Sequence, residues 1–174
     1  MRAMSSSARA LSVATVILLS ACGGGSDEGV VVEEDEPERS FRSSTLAITG
    51  ATDASLNGVY TTDNTFISDV VKVNPIGGDP EVCKFRFNGQ TSASGRVIGG
   101  GDIRYIPGTN NLHVTFMGVG GTEFRMSGST GAAVDRANNE IDYTGAVFTS
   151  TQTAGQTITV TGSVPMVGNR PEGC

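Results

Sequence analysis

The chain has no tryptophan, a single histidine, three cysteines, and aromatic side chains at only 6% of its 174 positions. Each shortage removes a class of function. The lone His113 cannot build a histidine-rich metal centre, and no Gly-x-Ser-x-Gly elbow accompanies it as the nucleophile of a triad. No Cys-x-x-Cys pair occurs, so thiol redox and thiolate metal sites lack their usual spacing. No basic stripe interleaved with aromatics suggests a nucleic-acid partner. No apolar run approaches the roughly 20 residues of a membrane-spanning helix, and helical periodicity never persists beyond a turn or two. The sequence is therefore read as having no catalytic set, no metal ligands and no cofactor.

What is present begins at the N-terminus. Arg2 and Arg9, with no acid among them, precede the apolar run Ala10 to Leu19, after which small residues appear. That order is the one found in secretory signal peptides. As a helix, such a run is about 15 Å long, half of a ~30 Å hydrocarbon core, too short for a permanent anchor. The run ends in Leu19-Ser20-Ala21-Cys22, directly before Gly23-Gly24-Gly25. These four residues resemble the lipobox of bacterial lipoproteins. The resemblance implies that the Cys22 thiol receives a diacylglycerol, that the chain is cut before it, and that the new amino group is acylated. Several acyl chains on one residue give stable attachment to a bilayer where one would be marginal. Gly23 in place of Asp implies delivery to the outer membrane of a Gram-negative envelope.

The expected organisation is a signal peptide at 1–21, a lipidated cysteine with an acidic tether at 22–43, and one domain at 44–174. The net charge of −6 supports the division. Asp27, Glu28, Glu33, Glu34, Asp35, Glu36 and Glu38 form a block without a base, whereas residues 39–174 hold ten basic against eleven acidic residues. A like-charged block beside Gly and Pro37 self-repels and is expected to act as an extended spacer reaching about 20 to 25 Å. Within it, Val30-Val31-Val32 is the one apolar triplet. Assigning Cys22 to lipid leaves Cys83 and Cys174 as an even pair in an oxidising compartment, where a disulfide is expected. The loop so closed, roughly 90 residues, corresponds to about 4 to 5 kcal/mol of chain entropy. Two free thiols are the alternative.

Twenty-four glycines with abundant Thr and Ser favour short strands. Period-two alternation predicts strands at 45–49, 58–62, 68–74, 82–88, 92–98, 102–106, 112–117, 122–127, 132–135, 140–149 and 157–164. The expected inward faces include Cys83, Phe85 and Phe87; Leu112, Val114 and Phe116; Phe124 and Met126; Ile141, Tyr143 and Val147; and Ile158, Val160 and Val164. Pro107-Gly108 with Asn110-Asn111, and Arg136 to Asn139, read as hairpin turns. Short connections make neighbouring strands antiparallel. The fold is expected to be all-β, an antiparallel meander of about 8–11 strands closing as a barrel or flattened barrel, with a two-sheet sandwich as the alternative. Leu56-Asn57-Gly58-Val59-Tyr60 is similar to the Gly-x-Tyr opening of lipocalin-type barrels over a single tripeptide.

Candidate chemistry is sparse. Pairing Tyr105 with Leu112 would set Arg104 opposite His113, with Glu123 and Arg125 on the same face, a possible polar surface cluster that reads first as solvated charge pairs. Asp135-x-x-Asn138-Asn139-Glu140 has oxygen ligands but lacks the series of a calcium loop, so it reads as a turn; Asp63, Asp69 and Asp79 read likewise as loop residues. Gly99-Gly100-Gly101 and Gly118 to Gly121 read as loops. The expected role is a non-enzymatic envelope lipoprotein held to the bilayer through Cys22, with a possible envelope protein partner. A carrier of a small apolar ligand and a hydrolase using His113 are the alternatives.

Overall fold

A computed structural model describes residues 42–174. The leader, the Leu19-Ser20-Ala21-Cys22 motif and the whole acidic block lie outside the described residues. Eleven strands follow in order: β1 (Arg42–Thr49), β2 (Gly58–Ile67), β3 (Val71–Val73), β4 (Val82–Asn88), β5 (Thr91–Ser92), β6 (Ile98–Tyr105), β7 (Leu112–Val119), β8 (Thr122–Ser127), β9 (Ala132–Asp135), β10 (Glu140–Ser150) and β11 (Thr157–Pro165). All pairings are antiparallel. Eight strands close a barrel in the order β4-β6-β7-β8-β10-β11-β1-β2, with β2 returning to β4. The remaining three extend interrupted strands: β3 pairs β4, β5 pairs β2, and β9 pairs β10. Closure suits a sheet with one apolar face, because it buries that face and removes both edges.

The inside is filled by side chains. All three tyrosines (Tyr60, Tyr105, Tyr143) and four of the seven phenylalanines (Phe85, Phe87, Phe124, Phe148) are buried there, with Leu46, Ile48, Ile103, Met117, Ile158 and Val160 between them. The sparse aromatics are thus concentrated where their large area stabilises most, at about 25 cal/mol per Å² of apolar surface. Phe87 also lies over Gly101, its register partner on β6; a Cβ at Gly101 would overlap the ring.

Two inward faces differ from strict alternation, each because of a bulge. Opposite Arg104 and Tyr105 the strand β7 carries one extra residue, so Tyr105 pairs Leu112 while Arg104 pairs Val114. Past the bulge Thr115, Met117 and Val119 point inward and Phe116 points outward, half-exposed. The Thr115 hydroxyl meets Tyr143 Oη at 3.2 Å. Burial pushes the Tyr143 phenol far above its ordinary value, so it stays protonated. In β10 the register slips between Tyr143 and Ala146, with Gly145 at φ 67°, which turns Ala146 and Phe148 inward and leaves Val147 55% exposed. The glycines 99–101 are not a loop but part of β6, and Gly118 belongs to β7.

Cys83 and Cys174 form the disulfide, with Cα atoms 5.6 Å apart. It holds the segment after β11 against the barrel, where Tyr105 Oη donates to Cys174 O (2.9 Å), Gly108 N to Gly173 O (2.8 Å) and Met166 N to Asn139 O (2.8 Å). Both cysteines are buried.

Two outcomes test this packing. Urea unfolding of Cys83→Ser/Cys174→Ser should show a loss of about 2–5 kcal/mol with the strand content retained by circular dichroism. Gly101→Ala should lose about 1–3 kcal/mol, since the Phe87 ring must leave its place.

Candidate functional site

The outer wall carries one straight row of chemistry across four strands. Arg86 on β4 faces Asp102 on β6, Asp102 faces Phe116 on β7, and Phe116 faces Arg125 on β8. The row exists because of the bulge at His113, which turns Phe116 outward. Asp102 is its electrostatic centre: Arg104 Nε donates to Oδ1 at 2.8 Å, Lys84 Nζ lies 3.0 Å from Oδ2, and Arg86 Nε is 3.8 Å from the same oxygen. The carboxylate is 18% exposed and so depends on these cations, whereas the Arg86 side chain is 70% exposed and only loosely engaged. The guanidinium carbons of Arg104 and Arg125 lie 5.7 and 5.8 Å from the Phe116 ring centroid, within range of cation–π attraction.

One residue pair further along the same face, Gly100 stands opposite Gly118, which stands opposite Glu123. Glycines leave the sheet surface bare there, and a trough of about 640 Å³ results. Arg86, Asp102 and Phe116 border it, as do Val97, Glu123 and Gln152. Glu123 Oε1 accepts from Thr151 Oγ1 at 2.9 Å.

The four residues of the expected polar cluster are not one site. Arg104 and Arg125 meet at Phe116. Glu123 belongs to the trough, and His113, half-buried in its bulge, shares a shallow pocket of about 70 Å³ with Arg104, Asp79 and Ile76. No hydroxyl or carboxylate is hydrogen-bonded to the His113 ring among the described residues, so it has neither a nucleophile to activate nor an acid to orient it. Reading the sequence missed Asp102 and Phe116: Phe116 depends on the register shift in β7, whereas Asp102 shares the outer face with Arg104 by plain alternation along β6, which was the available signal.

A second group of acids lies on β9 and β10. Carboxylate oxygens of Asp135, Glu140 and Asp142 fall within 4.8 Å of one another. Asp135 is engaged in its turn, accepting from Asn138 N (3.0 Å) and Asn138 Nδ2 (2.8 Å), bonds that hold its carboxyl below the usual range. Asn139 completes that turn at φ 56°. Asp142 shifts the other way: partial burial, then the charges of Glu140 and Asp135, raise its pKa above 3.8. The folded state therefore holds this proton more tightly than the unfolded chain, and the group lowers stability as pH rises through and above 3.8.

Asp142→Asn should accordingly raise Tm at pH 7, and the gain over wild type should vanish at pH about 3, where both states are protonated; differential scanning calorimetry at the two pH values reads this. Comparison of the chain with family models, with curated proteins and with solved structures finds no match, and its reading rests on its own geometry.

Proposed function

We propose that the protein is an envelope lipoprotein, attached to a bilayer through acylated Cys22, whose barrel is a non-enzymatic binding module working from its outer wall. The observation that carries this reading is the filled interior. Seven buried aromatic side chains occupy the space a lipocalin-like carrier would give to its ligand, so a partner has the outside to meet. The outer wall offers suitable groups: an exposed Arg86, a half-exposed Phe116 and a trough beside them. Among the described residues no nucleophile, base and orienting acid converge, which gives the hydrolase alternative no support. The resemblance of residues 19–22 to a lipobox supports the attachment, and the Cys83–Cys174 disulfide agrees with an exported, oxidised environment.

Cells expressing the chain should carry it in salt-washed membranes with palmitate label on Cys22, and Cys22→Ser should abolish both label and membrane retention. In situ cross-linking of the anchored chain should capture a specific envelope partner. Equal membrane retention of Cys22→Ser, or no partner above that control, would sink the reading.

A further inference from the structure

We infer that the barrel binds one buried water molecule as a structural ligand, bridging Gln90 Oε1 and Thr65 Oγ1 inside the wall where β4 gives way to β5. The inference is independent of any partner on the outer wall. It concerns what completes the closure of the sheet.

The backbone makes the site. β2 pairs β4 through Phe66 and Asn88, and it pairs β5 through Thr61 and Thr91. Between those pairs, residues 62–65 of β2 stand against only Gly89 and Gln90, so β2 carries an excess there. The same stretch is irregular toward β1, where Ser44 faces Thr62 but Arg42 faces Thr65. The ladder is thus displaced on both sides of residues 62–65, and the side chains buried around it are polar. Gln90, Thr65 and Ser44 are 0%, 2% and 3% exposed.

Donors and acceptors fix the orientation of the amide. Ser44 has one hydroxyl proton, which it donates to Ser163 O at 2.9 Å. Toward Gln90 Nε2, 3.2 Å away, Ser44 Oγ can therefore only accept, which sets Nε2 against Ser44 and aims Oε1 elsewhere. The Gln90 main-chain carbonyl is already engaged, accepting from Ile98 N at 2.8 Å. Gln90 Oε1 and Thr65 Oγ1 are both enclosed, and among the described residues neither has a hydrogen-bond partner. They do not reach one another, although a carbonyl acceptor and a hydroxyl donor would pair if they could.

A buried polar atom left unpaired bears the full loss of its hydration, so folded proteins match such groups with protein or with ordered water. What satisfies this pair must donate to an amide oxygen, accept from a hydroxyl, and fit inside a closed wall. Water does all three. No carboxylate is among the buried groups of the described residues, so a metal cation would lack charged ligands, and side chains this enclosed leave a larger molecule no way in. Seated there, the water joins β2 to the β4–β5 break beside the two residue pairs that close the barrel.

The test uses the full-length Cys22→Ser chain, with water itself as the probe. Oxygen-17 relaxation dispersion should show one long-lived water fewer in Thr65→Val/Gln90→Met than in that parent chain. Nuclear Overhauser contacts in the parent should join the water resonance to the Gln90 side-chain amide protons. Thermal unfolding supplies a sign: Thr65→Val alone should lower Tm by about 3–6 °C, because the water loses a partner while Gln90 stays buried and polar. The double variant should recover most of that loss, since matched apolar groups need no water. A hydroxyl that is merely unpaired predicts the reverse, a rise in Tm on Thr65→Val. That rise, equal dispersion in parent and double variant, or no water contact at Gln90 in the parent overturns the inference, the last without any variant having to fold.

Discussion

Closure of the sheet between β2 and β4 is the constraint on which the rest depends. The join is narrow, Phe66 against Asn88 and Ile67 against Phe87, yet without it the apolar faces of eight strands would border water at two open edges. A ring must bend, and the chain bends where strands are interrupted. β4 gives way to β5 at Gly89-Gln90, β2 to β3 at residues 68–70, and β8 to β9 at residues 128–131. At the first break Gln90 turns inward, fully buried, and donates to Ser44 Oγ at 3.2 Å; Ser44 in turn donates to Ser163 O at 2.9 Å. A polar contact inside the wall thus ties the break to the β11–β1 seam.

The same closure decides where chemistry can sit. A small barrel whose interior is packed with Tyr and Phe leaves its inner surface to stability. Groups free to interact lie outside, and their arrangement follows strand register. A single extra residue at His113 places Phe116 in line with Arg86, Asp102 and Arg125, so a backbone irregularity in one strand composes a surface spanning four.

Much of the fold was legible in the sequence. The alternation around Phe85 and Phe87, Phe124 and Met126, or Ile158 and Val160 assigned both strand type and inner face, because period two is dictated by the pleat itself. The pairing of Cys83 with Cys174 followed from cysteine number, once the lipobox resemblance takes Cys22 out of the count. On β7 and β10, Leu112, Val114, Ile141 and Tyr143 are buried as alternation has them, and only Phe116 and Val147 depart, since an inserted residue inverts parity without altering composition. Glycines 99–101 read as a loop because intrinsic preference disfavours them in strands; Phe87 covering Gly101 is a tertiary effect that propensity does not contain. The trough was invisible for the same reason: it is defined by side chains that are missing, and by register rather than spacing.

The place of β1 has a mechanical meaning. The described chain enters the barrel at Arg42, and β1 lies between β11 and β2, paired to β2 from Arg42 and to β11 from Thr45 onward. Antiparallel ladder bonds run perpendicular to their strands. A pull on residue 42 along the strand axis therefore loads both ladders in shear, all bonds together, instead of peeling them one by one. A domain entered through such a strand resists force applied at Arg42 along the strand axis.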